Sequence, residues 1–277
     1  MIKFFIFFVL LIFSINNVFA ENIPILVISP GKTLQSKGTV GSDVEVIDSK
    51  VIAESNEYFI GDILDNNLNG INYFQSGGLG TVSGIQLRGQ PKRYSTVYID
   101  GVKLSDPSTP SNDYYFNNLL TGSIDRVEVL KGAHSSLYGS GALAGTIQLF
   151  SKKGKEGHNK DVSVSSGSHG TQKLDLSFNG KNDYYDYFIG YTNFSTEGES
   201  AMRDNDENDG YRSDGFTANY GYNFSDKFRV ENYLYYNDSF LEYDAVNKSY
   251  TDNNDVTDDQ QAVYTARFIY TTEKFKN

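Results

Sequence analysis

Gly84-Ile85-Gln86-Leu87-Arg88-Gly89, Val97-Tyr98-Ile99-Asp100-Gly101-Val102, Ile124-Asp125-Arg126-Val127-Glu128-Val129-Leu130-Lys131-Gly132 and Leu137-Tyr138-Gly139, running on to Ala144-Gly145, decide how this chain folds. Three short apolar strands alternate with glycine-marked turns, and each strand carries a charge at or just beyond one end. Working outward, strands are expected over 44–47, 84–88, 96–100, 126–130 and 145–150. Residues 49–64 read as partly helical, with Ser49 as N-cap and Ile60, Ile63 and Leu64 at helical spacing. Asn69-Gly70 ends that helix, and the whole reads as a small α+β domain.

After Lys152-Lys153-Gly154 the texture changes to longer alternating segments divided by polar loops. Phe216, Ala218, Tyr220, Tyr222 and Phe224 form the cleanest run. Leu174, Leu176 and Phe178, then Tyr185, Tyr187, Ile189 and Tyr191, and finally Tyr264, Ala266, Phe268 and Tyr270 repeat it. A period of two puts these on one face and Lys173, Asp175, Thr217, Asn219 and Asn223 on the other. Segments of about ten residues with this alternation are the mark of transmembrane β-strands. A soluble β-sandwich, an exported binding or adhesion module, shows the same period and stays open as the alternative.

The first residues read as a secretory signal: Lys3, an apolar run from Phe4 to Phe13, and small residues before a cleavage after Ala20. The run is shorter than the roughly 20 residues of a membrane-spanning helix. The 277 residues hold no cysteine, which excludes disulfides and thiolate metal sites, and 21 Tyr and 19 Phe suit an exported β-protein. A net charge of -11 argues against nucleic acid as a partner.

On the quoted motifs the chain resembles the plug domain of TonB-dependent outer-membrane receptors, in the branch that takes up cobalamin. The resemblance implies an α+β plug domain followed by antiparallel transmembrane β-barrel strands. About six strands fit before Asn277, whereas plugged transporters have about 22. The chain is therefore expected to be the N-terminal part of a larger barrel, because an open sheet in lipid leaves backbone groups unpaired. The expected division is 1–20 signal peptide, 21–41 TonB box and linker, 42–153 plug, and 154–277 the first part of the barrel.

The resemblance also implies partners and sites. Ile23, Pro24, Ile25, Leu26, Val27, Ile28 and Ser29 stand as the TonB box, an extended segment able to add a strand to the inner-membrane TonB energy-coupling complex. An ordinary edge strand is the other reading of that heptad. Outer-membrane lipid and a small-molecule substrate, cobalamin or a ferric siderophore, complete the partners, in a Gram-negative-type cell. Ungapped alignment on Leu87-Arg88-Gly89 and Ile99-Asp100-Gly101 puts the substrate-contacting plug positions on Val82, Gly84, Pro91, Thr109 and Pro110. Gly84 and Pro91 offer only backbone or shape contacts there.

In that branch, acidic residues on early outer loops hold calcium. The corresponding set here is Asp206, Asp209, Asp214, Tyr243, Asp244 and Asp255, with Arg212 standing where an aspartate is expected and Asp206 or Asp209 as its substitute. A solvated acidic hairpin loop is the alternative.

No enzymatic constellation emerges. Arg88, Arg126, Glu128 and Lys131 are expected to pair structurally inside the plug or against the barrel wall. The glycines of 139–145 miss a dinucleotide loop, since the third comes one residue late and a strand follows. His134, His158 and His169 are scattered.

Overall fold

The computed structural model describes residues 25–109, 113–200, 207–244 and 255–272. The signal region, Ile23, Pro24, Pro110 and Asp206 lie outside them. The chain opens on a two-residue pairing of β1 (Leu26–Val27) with β2 (Gln35–Ser36). The plug follows as β3 (Asp43–Ile47), α1 (Ser49–Glu54), α2 (Ile60–Asn67), β4 (Ile71–Gln75) and β5 (Ser83–Leu87). It continues through β6 (Ser95–Ile99), β7 (Val102–Leu104), β8 (Ile124–Lys131), α3 (Ser135–Tyr138) and β9 (Gly145–Ser151).

The main plug sheet has the order β3-β8-β9-β6-β7, with β6 and β9 parallel and the other neighbours antiparallel. Alternation along its strands gives two faces. Ile47, Val127, Val129, Ile147 and Leu149 point into the core with α2's Ile60, Ile63 and Leu64, all nearly inaccessible to solvent. The opposite face carries Val44, Leu130 and Glu128, and is covered by Val27, Tyr138 and Ala142. Both faces are thus buried, as a sheet holding a parallel pair requires.

The expected helix over 49–64 is two helices. The first is capped by Asp48, whose carboxylate accepts from the Lys50 and Val51 amides, rather than by Ser49, which is already its first residue. Asp fills an N-cap as well as Ser does, so the sequence left the two adjacent positions close in preference. Two strands of the plug, and the two-residue β2 before it, lie outside the expected set. β4 lies directly behind the Asn69-Gly70 turn, and β7 is only three residues long.

Six strands follow in strict sequence order: β10 (Gly157–Ser166), β11 (Gln172–Lys181), β12 (Tyr185–Thr196), β13 (Tyr211–Ser225), β14 (Phe228–Tyr243) and β15 (Asp255–Tyr270). All are antiparallel to their neighbours, and the sheet does not close. One end has tight turns at 182–184 and 226–227; the other carries the long connections 197–210 and 244–254.

This sheet is inside out. Val164, Phe178, Ile189, Phe216, Tyr220 and Phe268 are exposed, while Lys173, Asn179, Thr192, Ser213, Thr217 and Asn237 are buried against the plug. A β-sandwich buries its apolar face, so this arrangement fits only a wall whose outer face meets lipid. No described helix is long and apolar enough to cross a membrane, which has no bearing on strands.

Candidate functional site

The plug's loops at the long-connection end form the candidate substrate site. Gly80 adopts φ +86 and lies against the Tyr211 ring, where a Cβ would collide, so glycine is required for the loop to reach the wall. Asn117 Nδ2 donates to Gly80 O at 3.1 Å, and Tyr211 Oη donates to Asn117 O at 3.1 Å. Phe59, Leu120, Phe194 and Tyr211 pack beneath as a cluster joining plug to wall.

Of the expected substrate contacts, Val82 is half-exposed and Pro91 is exposed. Thr109 is partly buried, its hydroxyl donating to Asp106 O and accepting from the Asp113 amide, both at 3.0 Å. Gly84 sits buried inside β5, opposite Phe74, where an added Cβ would meet Lys92 and Phe74 at 2.9 Å. Its backbone packs these side chains instead of facing the loop surface. Lys92, next to Pro91, reaches Asp113 at 3.6 Å and stands 3.7 Å from the Tyr115 ring centroid. That cation–π cradle binds the 92–94 turn to the 113–115 segment. Its only trace in the sequence is Pro91-Lys92-Arg93-Tyr94, a charge–aromatic run.

Beside these apolar contacts, which Tyr233, Tyr235 and Val263 of the wall extend, the plug meets the wall through polar side chains. Lys173 Nζ donates to Thr121 Oγ1 at 2.8 Å and pairs with Asp175 at 2.9 Å. Asn219 Nδ2 donates to Ser151 Oγ at 2.7 Å and to Lys152 O at 2.6 Å. Near the tight-turn end Glu231 gathers Arg229 (2.9 Å), Arg267 (3.3 Å) and the plug's Lys153 (3.6 Å). Arg267 also donates to Asp100 O at 2.8 Å. Burial raises the Asp100 carboxyl, opposed by its hydrogen bond from Ser151. Between the plug and strands β10–β14 lies a cavity of about 550 Å³, its lining including Thr121, Lys152, Asp161, Lys173, Asp175 and Thr217.

The charges read as structural pair within the plug. Arg88 meets Asp43, Lys131 meets Glu45, and Arg126 meets Glu128 at 3.0 Å. The heptad divides. Ile25 and Leu26 are exposed, whereas Val27 and Ser29 are buried.

The acidic positions do not converge. Register sets Asp214 opposite Asp238 and Tyr243 opposite Asp255, five residues along β14 or about 17 Å apart. Asp214 Oδ1 accepts from Asn193 at 2.9 Å and from Tyr191 at 2.5 Å. Asp209 precedes β13 and Asp244 follows β14. Among the described residues no three His, Cys, Asp or Glu side chains gather as a metal site.

A plug sheet seated against an inside-out wall defines the class, and the comparisons agree. Residues 36–146 match the TonB-dependent Receptor Plug Domain family. Residues 36–146 thus carry a TonB-dependent receptor plug domain, followed by antiparallel strands with the fold of such receptors' barrels. It is 28% identical over 242 residues to the vitamin B12 transporter BtuB of Vibrio vulnificus, covering 85% of this chain and 39% of that protein. Against BtuB of Vibrio cholerae the match is 28% over 152 residues, covering 55% of this chain and 24% of that protein. The chain therefore spans well under half the length of these curated relatives. Among solved structures, the ferripyoverdine receptor of Pseudomonas aeruginosa superposes with TM-score 0.66 at 17% identity, covering 79% of this chain and 28% of that one. The ferric yersiniabactin uptake receptor FyuA of Yersinia pestis gives 0.65 at 17%, covering 84% and 39%. At such identities these two show the fold alone.

Proposed function

We propose that this chain is the N-terminal part of an outer-membrane receptor that imports a scarce nutrient with TonB-dependent energy coupling, and that cobalamin is its substrate. The observation that carries the reading is the polar part of the seam between plug and wall, which lies beside the apolar cluster of Phe59, Leu120, Phe194 and Tyr211. A stopper held by Lys173, Asn219 and Glu231 can exchange its contacts with water, as a movable plug requires. The similarity to two BtuB proteins over the plug and first strands favours cobalamin.

Substrate would rest on the exposed Val82 and Pro91 and on Thr109, with Lys92 and Tyr115 fixing the loops beneath. Pro110 would serve through shape, and Gly84 would act from inside β5 by letting Phe74 and Lys92 pack closely beneath the loops. The exposed Ile25 and Leu26, with Ile23 and Pro24 before them, would offer the strand that the TonB complex grips. The protein would make and break no covalent bond.

Binding of cobalamin and of a ferric siderophore to the membrane-assembled receptor tests the substrate. The account expects cobalamin binding, weakened by Val82→Asp. Indifference to cobalamin with tight siderophore binding would overturn it. A parallel arm with a calcium chelator asks whether Asp209, Tyr243, Asp244 and Asp255 help order the outer loops.

A further inference from the structure

Two glutamates of the plug sheet pair with cations, but only one of them also holds another part of the chain. Glu128 is 0% exposed in the middle of β8. Its Oε2 accepts from the Ile28 amide at 2.9 Å, the Ser29 amide at 2.8 Å and the Ser29 hydroxyl at 2.6 Å. Its Oε1 faces Arg126 at 3.0 Å. Three donors on one carboxylate oxygen make charge-assisted bonds, roughly twice as strong as neutral ones.

The rest of the segment is fixed from both sides. Tyr138 Oη donates to Ser29 O, and Tyr98 Oη donates to Tyr138 O at 2.9 Å. Burial, then Glu128 and Tyr98, pushes the Tyr138 phenol up to about 12, so it remains a donor at neutral pH. Val27 is fully buried among Val44, Leu130, Tyr138 and Ala142. One residue earlier the character changes: Leu26 and Ile25 are open to solvent, tied only by backbone bonds to the β2 region.

We infer that Ile25–Ser29 is two devices in series: an exposed grip, Ile25–Leu26, and an anchor, Val27–Ser29, that Glu128 fastens to the plug sheet. Tension applied to the N-terminus then enters the plug at β8. That strand lies between β3 and β9, so the load reaches the sheet's interior before its edges. The anchor also limits strand addition to the residues before Val27, because the Ile28 and Ser29 amides already have a partner. The load-bearing half of this inference rests on the coupling role proposed above; the anchor itself does not.

Hydrogen exchange on the membrane-assembled receptor tests the anchor without substrate or TonB. The Ile28 and Ser29 amides are expected to exchange at least about tenfold more slowly than that of Leu26. Glu128→Met, an apolar side chain of similar length, should abolish that difference while Val127 and Val129 stay protected. Free exchange of Ile28 and Ser29 in the parent protein, or retained protection in E128M with β8 intact, would overturn the anchor. Should E128M also unprotect β8, Ser29→Ala decides. It removes one of the three bonds, and unchanged Ile28 protection would count against the inference.

Pulling the same receptor from its N-terminus tests the load path. The first rupture should occur at lower force in E128M or S29A than in the parent. An Asp43→Asn control, which breaks an exposed ion pair of the same sheet, should leave that force unchanged. Equal forces in all of them would refute entry at Glu128. Loss of cobalamin binding with these results intact would instead count against the substrate reading.

Discussion

The two sheets of this chain obey opposite rules with the same alphabet. The plug sheet hides Ile147, Leu149, Val127 and Val129, as a water-soluble domain must; the wall hides Lys173, Thr192, Thr217 and Asn237 and displays Ile189, Phe216 and Phe268. Alternation alone cannot distinguish them, since both have a period of two. What differs is the medium on the far side. The plug's faces are closed by helices and by the N-terminal segment, whereas the wall's apolar face has only lipid to meet.

The sharpest contrast is between substitutions at apolar positions of the two sheets. Ile147→Ala, at a fully buried plug site, should lower stability by about 2–5 kcal/mol in a denaturant titration. Ile189→Arg, on the outward face of β12, should cost about 2–4 kcal/mol in a bilayer. The same change on a sandwich surface in water would be nearly neutral, so a negligible effect in lipid would break the distinction.

The inward face of the wall should respond as a core built from polar groups. Lys173→Met removes the bond to Thr121 and leaves Asp175 without its cation, for an expected loss of about 1–3 kcal/mol. Glu231→Gln, in a partly solvated cluster, should cost at most about 1 kcal/mol. Its visible effect is expected to be faster hydrogen exchange around Lys153. An effect of E231Q larger than that of K173M would reverse the ranking of buried and solvated contacts.

Much of this architecture was legible from the residues. The motifs around Arg88, Asp100 and Glu128 fall on β5, β6 and β8 as expected, and the four quoted alternating runs fall on β11, β12, β13 and β15. The orientation of those runs was not legible, because Thr217 and Asn219 look solvent-facing until a plug lies against them. β4 and β7 were lost for a local reason: a glycine turn masks the start of one, and the other is too short to show a period. At the candidate site Val82 and Pro91 are exposed, and Gly84 is buried within β5. Ser29 and Glu128 are 99 residues apart, and nothing in either stretch announces the other.

A further expected effect, visible only as a dependence on pH, lies in α2. Burial, then Glu57 and Asp65, raises the Asp62 carboxyl from 3.8 to about 6. The folded plug therefore holds this proton more tightly than the unfolded chain. Its contribution to stability is fully present below about 3.8 and is lost as pH rises through about 6. Asp62→Asn should flatten the pH dependence of stability across that window, read from denaturation midpoints. An unchanged slope would remove Asp62 as its source.

The absence of native cysteine makes the central claim directly measurable. Single cysteines at Ile189 and Phe216, and separately at Thr192 and Thr217, can carry a fluorophore in the membrane-assembled protein, with brominated lipid as quencher. The account expects strong quenching at the first pair and little at the second. Equal quenching at all four, or ready access of a water-soluble reagent to Ile189 and Phe216, would contradict it.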